Sequence, residues 1–137
     1  MENCRFEIEP FKGTNSLKLG LTSEEYQLII WLKPNKFYRT YACKNYTDDY
    51  GFCHIEYDDN GKSKSISFFN PTEVSFNGFL LLGGFRNSKE VKEYMLSIDP
   101  NCDNDESNIF SSKYNIYLYL HTDEFVECVT VYPEVIS

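Results

Sequence analysis

The stretch Leu17-Lys18-Leu19-Gly20-Leu21-Thr22-Ser23-Glu24-Glu25-Tyr26 decides how this chain is read, together with its echo from Leu80-Leu81-Leu82-Gly83 to Asn87-Ser88-Lys89-Glu90. Each is a leucine–glycine step that leads into a helix start. Thr22 and Glu25 stand three apart, the spacing of a capping box, in which each side chain satisfies the other's free backbone N–H. Asn87 and Glu90 repeat the spacing with asparagine as the cap. Leu21 and Tyr26 occupy the two positions of a hydrophobic staple across the first cap. Pro34-Asn35 and Pro100-Asn101 follow the two helices, and a proline cannot continue a helix.

The first helix is expected from Ser23 to about Leu32. Its run Leu28-Ile29-Ile30-Trp31-Leu32 is apolar nearly all round, so it is expected to be covered on more than one side. The second helix carries Val91, Tyr94, Met95 and Ile98 at i, i+3, i+4 and i+7, a single stripe facing a core. Lys89, Glu90, Lys92 and Glu93 face outward.

Outside the helices the patterning turns to strands. Arg5 to Ile8 reads as a first strand, and Lys36 to Lys44 is β-prone. Tyr46 to Gly51 reads as an acidic turn. Cys53 to Tyr57 alternates, with Cys53, Ile55 and Tyr57 on one face and His54 and Glu56 on the other. Asp59-Asn60-Gly61 is a hairpin turn, because Asn-Gly accepts positive φ. Its return strand is Ser63 to Phe69, ended by Pro71. Val74 to Phe76 and Phe79 to Leu82 form a second hairpin around Asn77-Gly78. After the second helix, Asn101 to Asn108 reads as a polar acidic loop. Ile109 to Ser111, Ile116 to His121 and Phe125 to Tyr132 complete the strands.

Read together, the two lead-ins mark one supersecondary unit used twice, each a helix followed by antiparallel strands. The expectation is a single α+β domain over 1–137, with pseudo-repeats 5–76 and 77–137. An antiparallel sheet would carry both helices on one face.

A chain of 137 residues is long enough to bury a core, and 42% hydrophobic and 17% aromatic content argues against disorder. Eleven Tyr and eleven Phe favour strands and leave aromatic surface for a partner. The net charge of −8 repels phosphate backbones and anionic lipid, so neither nucleic acid nor a membrane surface is an expected partner; it would steer in a basic one. Met1 to Pro10 lacks a basic start followed by an apolar stretch, so no secretory signal is expected there. The five cysteines are odd in number and irregular in spacing, with no CxxC, and read as reduced thiols of a cytoplasmic protein.

Chemistry-bearing motifs are sparse. Cys53 and His54 are neighbours in a strand, so their side chains point to opposite faces. A Cys–His pair across the fold, such as Cys128 with His121, is the remaining nucleophilic arrangement. GxSxG, HExxH, P-loop and GxGxxG patterns do not occur. Asp99, Asn101, Asp103 and Asp105 alternate like a calcium loop, but the positions that require Gly and a final acid hold Asn104 and Phe110. No catalytic residue, metal or cofactor is therefore assigned.

The LKLGLTSEE lead-in to the first helix and the LLLGG…NSKE lead-in to the second resemble the tandem helix–strand architecture of the β-lactamase inhibitor protein family. That resemblance implies a curved antiparallel sheet used as a protein-binding face. The same opening also looks like small cytosolic immunity proteins of bacterial polymorphic toxin systems. The chain departs from the secreted inhibitors in its lack of an export signal and of an obvious disulfide pair.

The resulting expectation is an immunity or inhibitor protein, a monomer or weak dimer, that covers the active site of a basic toxin domain. Loop acids would speed encounter and aromatics would supply affinity. The candidate partner-binding residues are Asp48, Asp49, Tyr50, Asp58, Asp59, Asp103, Asp105 and Glu106. Tyr46, Tyr57, Tyr117 and Tyr119 are further aromatic candidates, the last two sharing a strand face that could be core. The alternative is a small-ligand-binding domain with its ligand held between sheet and helices.

Overall fold

A computed structural model describes residues 5–40, 45–121 and 124–134. The elements in chain order are β1 (Arg5–Glu9), β2 (Gly13–Thr14), α1 (Ser23–Ile30), β3 (Asn35–Phe37), β4 (Thr47–Asp49), β5 (Cys53–Tyr57) and β6 (Ser63–Phe69). They continue with β7 (Glu73–Phe76), β8 (Phe79–Leu82), α2 (Ser88–Ile98), β9 (Asp103–Asn104), β10 (Asn108–Ser111), β11 (Ile116–His121) and β12 (Phe125–Val131). Eight strands form an antiparallel sheet in the order β3-β4-β5-β6-β12-β11-β10-β9, and four form a smaller mixed sheet, β2-β1-β7-β8. The fold is α+β.

Both orders read alike from their two ends. Each half of the chain supplies a short strand pair, then a helix, then a four-strand meander, and the meanders join through their last strands, β6 and β12. By this order the halves divide between β6 and β7, somewhat before residue 77. The smaller sheet does not follow from the sequence reading. There β1 runs parallel to β7, with Phe6 opposite Val74.

The caps explain where the helices begin. The Thr22 hydroxyl accepts from the Glu25 N–H at 3.3 Å, and the Glu25 carboxylate accepts from the Thr22 N–H at 3.1 Å. Asn87 accepts from the Glu90 N–H at 3.0 Å. In the loop ahead of α1, Gly13 has φ +111°, and a Cβ there would lie 2.4 Å from the Leu17 carbonyl oxygen, so the close turn requires glycine. Asn77 and Gly78 both take positive φ (52° and 78°), as a tight β7–β8 hairpin needs.

Strand register sets the core. Ile55 pairs with Ile66, Phe68 with Val129, and Leu118 with Val129, so their side chains share one face of the large sheet. Both helices meet that face. The buried ring of Tyr26 on α1 lies 6.3 Å from Tyr57, with its hydroxyl 2.6 Å from Ser63. Asp99, at the end of α2, accepts from Ser111 on β10 at 2.7 Å. Phe6, Ile8, Val74 and Leu81 of the small sheet fill the same layer with Val91 and Met95.

Three expectations are corrected. α1 stops at Ile30, because Trp31 takes a left-handed conformation (φ 63°) that ends the helical ladder. Its apolar run is covered on one side only: Ile30 is buried, but Leu28 is 75% exposed and Trp31 88%, with Ile29 and Leu32 also exposed. The expected acidic turn at 46–51 is largely a strand, since Asp48 pairs with both Lys36 of β3 and Ile55 of β5. Among smaller differences, β9 forms inside the expected loop at 101–108, and within the β-prone stretch 36–44 residues 41–44 lie outside the described residues. Among the described residues, no helix is long and apolar enough to cross a membrane.

Candidate functional site

The face of the large sheet opposite the core carries the site. Because side chains alternate along a strand, the partners of the core residues point the other way: His54 and Glu56 on β5, Ser65, Ser67 and Phe69 on β6, Cys128 and Thr130 on β12, and Tyr117 and Tyr119 on β11. The cross-strand pairs His54–Ser67, Glu56–Ser65, Thr130–Ser67, Tyr117–Thr130 and Tyr119–Cys128 keep them in one plane. β-bulges between Glu56 and Tyr57 and between Tyr119 and Leu120 bend the strands. The face holds a hollow of about 420 Å³, with Arg39 and Tyr132 at its margin.

Small hydroxyls make the floor. Ser67 and Thr130 share a buried hydrogen bond of 2.8 Å, and the Ser65 hydroxyl donates to Glu56 at 3.4 Å. Aromatic side chains make the walls. His54 sits between Phe37 and Phe69, with ring centroids at 5.3 and 4.6 Å. Phe110 meets Tyr132 edge-on at 6.5 Å, and the Tyr117 hydroxyl donates to Asn108.

On this face Arg39 and Glu56 form an ion pair, and each imidazole contacts a carboxylate, His54 that of Asp49 at 3.3 Å and His121 that of Glu127 at 3.5 Å. Burial lowers the His54 pKa below its ordinary value, with Arg39 adding to the effect and Asp49 opposing it. Burial also raises the Tyr132 and Tyr117 hydroxyls, so both stay protonated donors at neutral pH.

The sequence-predicted partner residues fall into different places. Asp48 and Tyr50 are corrected outright: Asp48 is fully buried and Tyr50 is 8% exposed, so neither offers a surface. Asp48 accepts from Lys36 at 2.7 Å, Tyr57 at 2.6 Å and Ser23 at 2.5 Å, which makes it an internal strut under α1. Tyr57 is interior too, whereas Tyr46 is exposed and stacks on Tyr38 at 4.2 Å. Asp58 holds the β5–β6 turn, accepting from Asn60 and Lys62, and the adjacent Asp59 is exposed. Asp103, Asp105 and Glu106 are exposed at the β9–β10 edge, where Asp105 accepts from the N–H groups of Ser107 and Asn108. In sheet order β12 and β11 stand between those two loops, so the acids do not form one surface. Asp49 touches a residue that lines the hollow, His54. Tyr117 and Tyr119 do lie on a common strand face, and it is the open one.

Sequence reasoning missed Arg39, Ser65, Ser67, Phe69, Thr130 and Tyr132. The alternation of β5 had already put His54 and Glu56 opposite the core. Extending that parity through Ser65 and Ser67 would have found the floor, but the β6–β12 pairing that adds Thr130 has no local signal.

His54 and Cys128 line the same hollow, but each is engaged by other groups, His54 by Asp49 and Cys128 by Thr130. The Cys128 thiol, raised by burial, lies 3.7 Å from Thr130, while His121 stacks on Phe125 and pairs with Glu127. Burial raises the Cys53 and Cys102 thiols as well, which disfavours the thiolate a nucleophile needs. Asp99 turns inward to Ser111, away from the exposed Asp103 and Asp105, so the calcium-like spacing does not build a common ligand set. Among the described residues, no group of three or more His, Cys, Asp or Glu could hold a metal ion. No family model matches the chain, and no curated protein or solved structure matches it either.

Proposed function

We propose that this chain is a protein-binding inhibitor of the immunity type, and that it seats its partner on the open face of the eight-stranded sheet. The observation that carries this reading is the character of that face. A solvated sheet face is ordinarily polar, whereas here it presents Tyr117, Tyr119, Tyr132, Phe69 and His54, with Arg39 and Glu56 paired to each other. Tyrosines give large contact area with few rotors and a hydroxyl that tolerates water, the composition of a recognition surface. The net charge of −8 supports a basic partner, whose approach it would accelerate. The partner class, a toxin domain neutralised by cover of its active site, rests on the resemblance.

The direct test is co-purification with the product of the adjacent open reading frame, together with protection of cells that express it. Complex formation that weakens as salt rises supports the reading. A stable, active neighbour that neither binds nor is neutralised removes it.

Small-ligand binding is the second reading, and a hollow of about 420 Å³ that is large enough for a small molecule favours it. That hollow lies on the open face, and another of about 440 Å³ lies between the start of α1 (Thr22, Ser23 and Glu24) and the strands that carry Lys36, Asp48 and Tyr57. A thermal shift with a metabolite, absent with the basic partner, would favour this reading.

A further inference from the structure

A guanidinium already sits over this hollow, and it belongs to the chain itself. Arg39 lies in the segment after β3 and reaches past β4 to pair with Glu56 on β5. Its Nη2 is 3.4 Å from His54 Nδ1, and its Cζ lies 5.7 Å from the centre of the Phe37 ring. The side chain remains 41% exposed, so it rests in the site without being sealed there.

We propose that the hollow is a receptor for a cationic side chain, an arginine presented by a basic protein partner, and that Arg39 occupies its place until that partner binds. This deepens the preceding reading and rests on it for the partner's class. The chemistry fits a guanidinium on each side. Glu56 supplies a carboxylate on the wall, with its second oxygen accepting from Ser65 at 3.4 Å. Tyr119 and Tyr132 line the hollow, and the quadrupole of an aromatic ring attracts cations. Ser67 and Thr130 supply hydroxyl oxygens on the floor that can accept from a planar fork of donors. Arg39 and Glu56 line the same hollow, and the overall charge of −8 favours delivery of a cation over an anion.

The test uses the folded chain alone, so it does not depend on the partner's identity. The probes are N-acetyl-argininamide and its neutral isostere N-acetyl-citrullinamide, titrated against wild type, Arg39→Ala and the double variant Arg39→Ala/Glu56→Gln. Ring signals of Tyr119 and Tyr132 report occupancy, and circular dichroism verifies folding. The expected result is that Arg39→Ala binds the arginine probe about tenfold more tightly than wild type does, and about tenfold more tightly than it binds the citrulline probe. Glu56→Gln should abolish that preference. Equal binding of the two probes, or no binding by a folded Arg39→Ala chain, overturns the proposal. So does tighter binding of N-acetylglutamate to wild type than to Arg39→Ala, which would mark an anion site built on Arg39. If the proposal fails while Tyr119→Ala still weakens the protein complex, the open face remains the interface and only the arginine receptor is lost.

Discussion

The sequence reads Asp48 as a loop acid, because Tyr46 to Gly51 reads as an acidic turn, and its environment reverses that role. It is fully buried, with Lys36, Ser23 and Tyr57 all directed at its carboxylate. Lys36 is partly exposed and can relax into water if the carboxylate is removed, but the Tyr57 hydroxyl cannot. An orphaned buried donor costs about 1–3 kcal/mol, and the loss of the ion pair adds to it. Asp48→Ala should therefore lower stability by about 3 kcal/mol in urea denaturation. A change under about 0.5 kcal/mol would show that the strut is not structural. His54 gives a second test at this scale. Its folded pKa lies below the ordinary 6.5, so the unfolded chain binds the proton more readily. Stability contributed by neutral His54 should be present above pH 6.5 and decline as pH falls through that value toward the lowered folded pKa. His54→Gln should flatten that part of the pH–stability curve, and an unchanged slope would assign the effect elsewhere.

At the scale of elements, local signals were legible and lateral ones were not. Thr22–Glu25, Asn87–Glu90, Asn60-Gly61 and Asn77-Gly78 act within a few residues, and the helices and hairpins stand where those residues put them. Pairing of Asp48 with Lys36 and Ile55 depends on partners the local pattern does not name, so β4 read as a turn. The hollow was illegible for the same reason, since Ser67 and Thr130 meet only through β6–β12 pairing. α1 shows a different limit: an apolar run signals burial, but it cannot say whether a cover exists within the chain. Trp31 ends that helix at φ 63°, a conformation that favours glycine, while its side chain stands 88% exposed. Trp31→Gly should leave stability unchanged or raise it by about 1 kcal/mol in thermal or chemical unfolding. A clear loss would mean that the indole contributes packing to the fold.

For the whole molecule, the two meanders meet at β6 and β12, and the hollow lies over that junction, with Ser65, Ser67 and Thr130 at its floor. Each half alone would present part of the surface; together they make one continuous aromatic face. The exposed turn of α1, with Leu28 and Trp31, is the rival surface, because contiguous exposed apolar residues also mark interfaces. The deciding measurement is the dissociation constant of the complex with the adjacent gene's product, compared between Tyr119→Ala and Trp31→Ala chains of verified fold. Tyr119 is 41% exposed, so its truncation should spare the core. Binding at the sheet face predicts a loss of about tenfold or more for Tyr119→Ala and less than about twofold for Trp31→Ala. The opposite ranking would place the partner on α1 and contradict the account.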